Sequence, residues 1–104
     1  MYTAKQIASI LNTEATFVHS EAVIEQLLTD SRRLIFPETT LFFAIVTPGR
    51  NAHAFIDDLY ARGVRSFVVQ KDFDITAFAD ANFIFADDTL AALQGRRAVF
   101  RLVL

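Results

Sequence analysis

Residues 40–70 read TLFFAIVTPGRNAHAFIDDLYARGVRSFVVQ, and this stretch decides the fold. Leu41 to Val46 run apolar without the alternation of a half-solvated strand, the pattern of a strand covered on both faces. Pro48 and Gly49 stop it. From Ala52 to Arg62 the apolar residues Phe55, Ile56, Leu59 and Tyr60 fall on one helical face, and Gly63 supplies the stop signal. Ser66 to Gln70 is a second apolar strand. Strand, helix and strand within about thirty residues predict a βαβ crossover, hence neighbouring parallel strands and an α/β domain.

Working outward, Thr3 is an N-cap candidate, and Ile7, Ile10 and Leu11 recur at helical spacing, which predicts a helix over 3–11. Thr16 to His19 and Val23 to Leu28 predict two short strands or one interrupted strand, divided by a polar turn near Ser20 and Glu21. Pro37 to Thr40 is a polar connector. Downstream, Ile75 to Ala79 predict a helical turn and Asn82 to Ala86 another apolar strand. Asp87, Asp88 and Thr89 then offer a helix start, with Leu90 and Leu93 turned to the sheet and Gly95 weakening continuation. Ala98 to Leu104 are apolar except for Arg101, so a helix through them would be greasy on nearly every side, and self-association or a partner is expected there. The expectation is a single small α/β domain over 1–94, a mixed β-sheet flanked by helices, followed by an atypical apolar tail over 95–104.

Composition agrees and excludes several functions. The 104 residues are 53% hydrophobic, enough for one core and not two, and eleven Phe with no Trp furnish it. A formal net charge of −2 gives no broad cationic field, so neither nucleic acid nor an anionic membrane surface is an expected partner. No run reaches the roughly eighteen apolar residues of a membrane span, and Lys5 and Gln6 interrupt the first apolar stretch, which predicts a cytoplasmic protein. Without cysteine there is no disulfide or thiolate chemistry, and two histidines alone make a metal site unexpected. Gly49, Gly63 and Gly95, the only glycines, cannot form the phosphate loop of nucleotide hydrolases.

Two polar runs stand where an α/β sheet holds ligands. Thr29-Asp30-Ser31-Arg32-Arg33 leaves a strand end with a carboxylate, hydroxyls and guanidiniums, suited to a diphosphate or a ribose, although spacing alone favours a turn capped by Asp30 with solvated arginines. Thr47-Pro48-Gly49-Arg50-Asn51-Ala52-His53 lies between the central strand and the helix, where backbone N–H groups with Arg50 or His53 can meet an anion. A histidine in a first helical turn is more often a structural hydrogen-bonding residue than a catalyst. The acid pairs Asp57/Asp58 and Asp87/Asp88 fit a solvated helix face and a helix cap better than a metal or phospho-acceptor site. A phospho-receiver domain fails on order, because Asp87 and Asp88 come too late in the chain.

In order, Asp30-Ser31-Arg32, Pro37, Thr40-Leu41-Phe42-Phe43-Ala44, Gly49-Arg50-Asn51-Ala52-His53-Ala54-Phe55-Ile56 and Gly63-Val64 before Phe67-Val68-Val69 resemble the N-terminal domain of the Mur ligases. These ATP-dependent enzymes build the peptide stem of bacterial cell-wall precursors. The resemblance covers about residues 3–94. Ala52-His53 and the stretch from Leu59-Tyr60 to Val64 are similar to the branch that adds D-alanyl-D-alanine to UDP-N-acetylmuramoyl-tripeptide; some ligases of that branch are fused to an alanine racemase. The resemblance implies that Asp30, Ser31, Arg32, Thr47, Asn51 and His53 bind the UDP end of the substrate. It implies no catalytic residue, metal ligand or cofactor in this segment, with ATP and Mg²⁺ used by central and C-terminal domains of a parent enzyme. Three departures stand out: Asn51 replaces the usual Asp, Thr47-Pro48 replaces a frequent Lys-Gly, and the tail from Gly95 leads into no ATP-binding sequence, which reads as a truncated or excised piece. The alternative is a free-standing, non-catalytic α/β interaction or dimerisation module. The ligase reading requires the two polar loops, around Ser31 and around His53, to rise from one rim of the sheet and close on a single nucleotide handle in a shared hollow.

Overall fold

The computed structural model describes residues 2–96. Its centre is a five-stranded sheet of β2 (Ala15–Thr16), β4 (Gln26–Leu28), β5 (Thr40–Phe43), β8 (Ser66–Gln70) and β9 (Asn82–Ala86), in the order β2-β9-β8-β5-β4. Strands β4, β5, β8 and β9 are parallel, and β2 runs antiparallel to β9. Two small ribbons flank it: β1 (Tyr2–Thr3) with β3 (Val23–Ile24), and β6 (Val46–Thr47) with β7 (Arg50–Asn51). The sheet is therefore mixed and flanked by helices in one domain, as expected.

Strand alternation assigns the core to two layers. Phe42, Phe67, Val69 and Phe83 face α2 (Ile56–Ala61), which buries Ile56 and Leu59 against them. Leu41, Phe43, Val68 and Ile84 face the other way, onto α1 (Ala4–Leu11), which contributes Ile7 and Ala8. Burying both faces explains why these strands read as unbroken apolar runs. Phe42, Phe43, Phe67 and Phe83 are wholly inaccessible, each worth about 1.5–3 kcal/mol relative to an exposed ring. The helix α3 (Thr89–Gly95) packs Ala92 and partly buried Leu93 on the α1 side.

The helix starts follow local chemistry. Thr3 and Gln6 form a reciprocal capping box, and Asn12 ends α1 at φ 52°. Asp88 caps α3 through the N–H groups of Leu90 and Ala91. Three expectations are corrected. The central strand ends at Phe43, not Val46, because Val46–Thr47 pair with Arg50–Asn51 around Pro48 and Gly49, whose φ of +82° suits the turn. The helix expected from Ala52 opens as a 3₁₀ turn over Ala52–Phe55, since Asn51 accepts the His53 N–H and tightens the start. Residues 75–79 form turns rather than a helical segment, with Phe78 buried. The helix α3 runs through Gly95, across the expected boundary at residue 94, and the tail from Ala98 lies outside the described residues.

Polar bonds fasten the base of the sheet, where the parallel strands begin. Asn82, fully buried, accepts the Val18 and His19 N–H groups and donates to the His19 carbonyl and Ser66 Oγ. Asp80 bridges His19 and Arg65, and the Arg65 guanidinium lies 4.0 Å over the Tyr60 ring.

Candidate functional site at the carboxyl rim of the sheet

Because β4, β5, β8 and β9 are parallel, the segments that follow them all emerge at one rim, the usual ligand edge of an α/β sheet. A cleft of about 300 Å³ opens there. Thr29 lines it from the end of β4, Ile45 from the end of β5, Thr47 and Arg50 from the β6–β7 hairpin, Ala52 from the turn that follows, and Leu90 and Leu93 from α3. One wall is apolar and the other carries hydroxyls and a guanidinium. Such a slot can seat a planar ring against the leucines while Arg50 meets an anion.

The two polar loops reach this rim through Thr29 on one side and Thr47 and Arg50 on the other, but Ser31 and His53, expected to close on one hollow, do not share one: His53 lines a separate hollow and Ser31 lines neither. Asp30 and Arg32 form a bidentate pair, Arg32 Nε to Oδ1 at 3.0 Å and Nη2 to Oδ2 at 2.8 Å, and Asp30 also accepts the Arg32 N–H. These bonds, with the charge of nearby Arg50, hold the Asp30 carboxyl well below the usual carboxylate range. The same partnership raises the Arg32 pKa. Arg32 itself projects into solvent. Ser31 is buried, and its carbonyl accepts from Arg62 Nη1 at 3.2 Å, which pins the turn to the end of α2. Thr47 lines the cleft directly.

Asn51 and His53 face a different hollow, about 330 Å³, with Gln70, Asp72, Phe73 and Asp74. Both nitrogens of the His53 ring are engaged. The Gln70 N–H donates to Nε2 at 3.0 Å, which leaves the proton on Nδ1, where Asn51 Oδ1 accepts it at 2.6 Å. Burial lowers the His53 pKa, with Asp72 pulling the other way. Thr29, Leu90 and Leu93 were missing from the expected site, and Arg50, read from the loop as able to meet an anion, was not among the six residues the resemblance implied. Arg50 and Thr29 were visible as polar loop residues, whereas nothing in the local spacing places a helix some forty residues downstream over the hairpin. Among the described residues no group of three or more His, Cys, Asp or Glu could hold a metal ion, and no helix is long and apolar enough to cross a membrane.

An α/β domain with a mixed, chiefly parallel sheet and a ligand-sized cleft at its carboxyl rim is thus the class defined. Among solved structures, the chain is similar to UDP-N-acetylmuramoylalanyl-D-glutamyl-2,6-diaminopimelate--D-alanyl-D-alanyl ligase from Acinetobacter baumannii, with TM-score 0.74 and 25% identity over 96% of this chain and 21% of that one. Two crystal structures of MurF from the same organism match with TM-scores 0.73 and 0.76 at the same identity and coverage. The fold is the one these ligases carry in their N-terminal region. The chain spans 21% of the length of these structures. No protein-family model and no curated protein matches it.

Proposed function

We propose that this chain is the UDP-binding domain of an ATP-dependent, cytoplasmic ligase that adds D-alanyl-D-alanine to UDP-N-acetylmuramoyl-tripeptide during peptidoglycan synthesis. The observation that carries the reading is the convergence of Thr29, Thr47 and Arg50 with an apolar α3 wall in one cleft, on a fold shared with these ligases. In this reading the base lies against Leu90 and Leu93, and Thr29 and Thr47 offer hydroxyls to the base or ribose. Arg50 and Arg32 take diphosphate charge, with Asp30 orienting Arg32 and Ser31 shaping the turn. Asn51 and His53 act on the same ligand by holding the hairpin that presents Thr47 and Arg50. The chemistry, phosphorylation of the peptide carboxylate by ATP with Mg²⁺ and attack by the dipeptide amine, belongs to the central and C-terminal domains. Binding the remote uridine handle here serves to align the reacting end there.

Titration calorimetry with UDP-N-acetylmuramoyl-tripeptide tests this. The chain is expected to bind weakly and saturably, and Arg32→Ala to bind more weakly still. No heat with the native chain refutes the reading, and identical heats for Arg32→Ala remove Arg32 from the site. The alternative, a free-standing interaction module, draws on one observation: Ile35 and Phe36 are adjacent and 77% and 56% exposed. A stable dimer by light scattering that ignores uridine nucleotides favours it.

A further inference from the structure

The cleft's two walls come from segments with no covalent reason to stay together, and a short chain of hydrogen bonds, buried at Thr89 and exposed at Asp87, joins them. Thr89, fully buried, donates its hydroxyl to the Ala44 carbonyl at 2.7 Å, tying the first residue of α3 to the end of β5. Its N–H donates to Gln70 Oε1 at 2.7 Å, and Gln70 Nε2 donates to the Asp87 carbonyl at 3.0 Å. The side chain of Gln70 therefore grips both ends of the turn that launches α3, while its backbone N–H holds His53. One residue past Thr89 comes Leu90, and one past Ala44 comes Ile45, both of which line the cleft.

Building on the nucleotide reading above, we propose that Gln70 and Thr89 are positioning residues that set the width of the cleft, and with it the preference for a pyrimidine over a purine nucleotide. Neither residue touches the ligand. Each fixes the α3 wall against the β5 exit, so their loss acts through Leu90 and Leu93. A general stabilising role would lower stability without changing which base is preferred; a width-setting role changes the preference in a folded protein.

The experiment uses the full chain and its Thr89→Val, Thr89→Ser and Gln70→Met variants, with UDP and ADP as ligands in calorimetry and methyl NOEs between Ile45 and Leu93 as the measure of width. Thr89→Val keeps the side-chain shape and removes the hydroxyl. It is expected to weaken those NOEs, to weaken UDP binding about tenfold and to narrow the UDP-over-ADP preference, with Thr89→Ser restoring all three. Gln70→Met is expected to behave like Thr89→Val, and it decides the matter if Thr89→Val does not fold. Folded variants with native NOEs and a native UDP-to-ADP ratio overturn the proposal. If the native chain binds no uridine nucleotide, the functional reading falls while the NOEs still decide whether Thr89 and Gln70 hold the walls.

Discussion

Replacing His53 by alanine tests the hairpin support directly. The change removes the acceptor of the Gln70 N–H at 3.0 Å and a ring contact with Phe73 at a centroid distance of 5.0 Å. An unpaired buried amide costs about 1–3 kcal/mol, and water reaching a half-buried site puts this one near the lower end. Loss of the ring contact adds about 0.5 kcal/mol. The sum is about 1.5–2 kcal/mol near pH 7.5, a fall in Tm of roughly 6–15 °C for a domain of this size. Acid should erase part of this difference. Burial holds the folded His53 pKa below its ordinary 6.5. The unfolded chain therefore takes up the proton first. The stability that neutral His53 contributes is complete above 6.5 and is lost as pH falls from there through the folded value. A protonated Nε2 would also point a donor at the Gln70 N–H. Urea unfolding followed by circular dichroism, at about pH 7.5 and about pH 5, gives the native-minus-variant difference, in which other titrating groups cancel. A difference under about 0.5 kcal/mol near neutrality, or one as large in acid as near neutrality, refutes the reasoning.

Arg50→Ala should weaken binding of UDP by tenfold or more, about 1.5–3 kcal/mol for a charged hydrogen bond, and leave the thermal midpoint nearly unchanged because Arg50 is exposed; unchanged calorimetric affinity counts against the cleft. Asn82→Leu strands the two N–H groups, the carbonyl and the hydroxyl that Asn82 serves, and should cost more than about 3 kcal/mol in urea denaturation. Gly63→Ala places a Cβ 3.3 Å from Pro37 Cβ at a φ of +105°, so a loss of about 1–3 kcal/mol is expected from the shift in unfolding midpoint.

Legibility followed the range of the forces involved. The Thr3 N-cap of α1, the helix face of Ile56 and Leu59 and the apolar strands β5, β8 and β9 were readable because each is set by residues within one or two turns of chain. The end of β5 was not. Val46 is as apolar as Phe43, and only the Pro48-Gly49 turn, by folding Val46 and Thr47 back on Arg50 and Asn51, takes them out of the sheet. The segment from Ile75 to Ala79 closes one turn, the Phe78 N–H donating to the Ile75 carbonyl at 3.0 Å, and does not go on into a helix because Phe78 is drawn inward by Phe73 and Phe83. At the rim, the loops around Asp30 and Thr47 were legible as strand exits. The α3 wall was not, because it depends on the Thr89 hydroxyl reaching Ala44, a bond spanning 45 residues.

Asn82, Ser66, Asp80, Arg65 and Tyr60 lock the end of the sheet opposite the cleft with a polar network of their own. The tip of the hairpin, from Pro48 to Arg50, carries none of that load. Exchanging Arg50, with Gly49 kept for its turn at a φ of +82°, is therefore a route to retargeting the scaffold toward a differently charged ligand, with the foundation left intact.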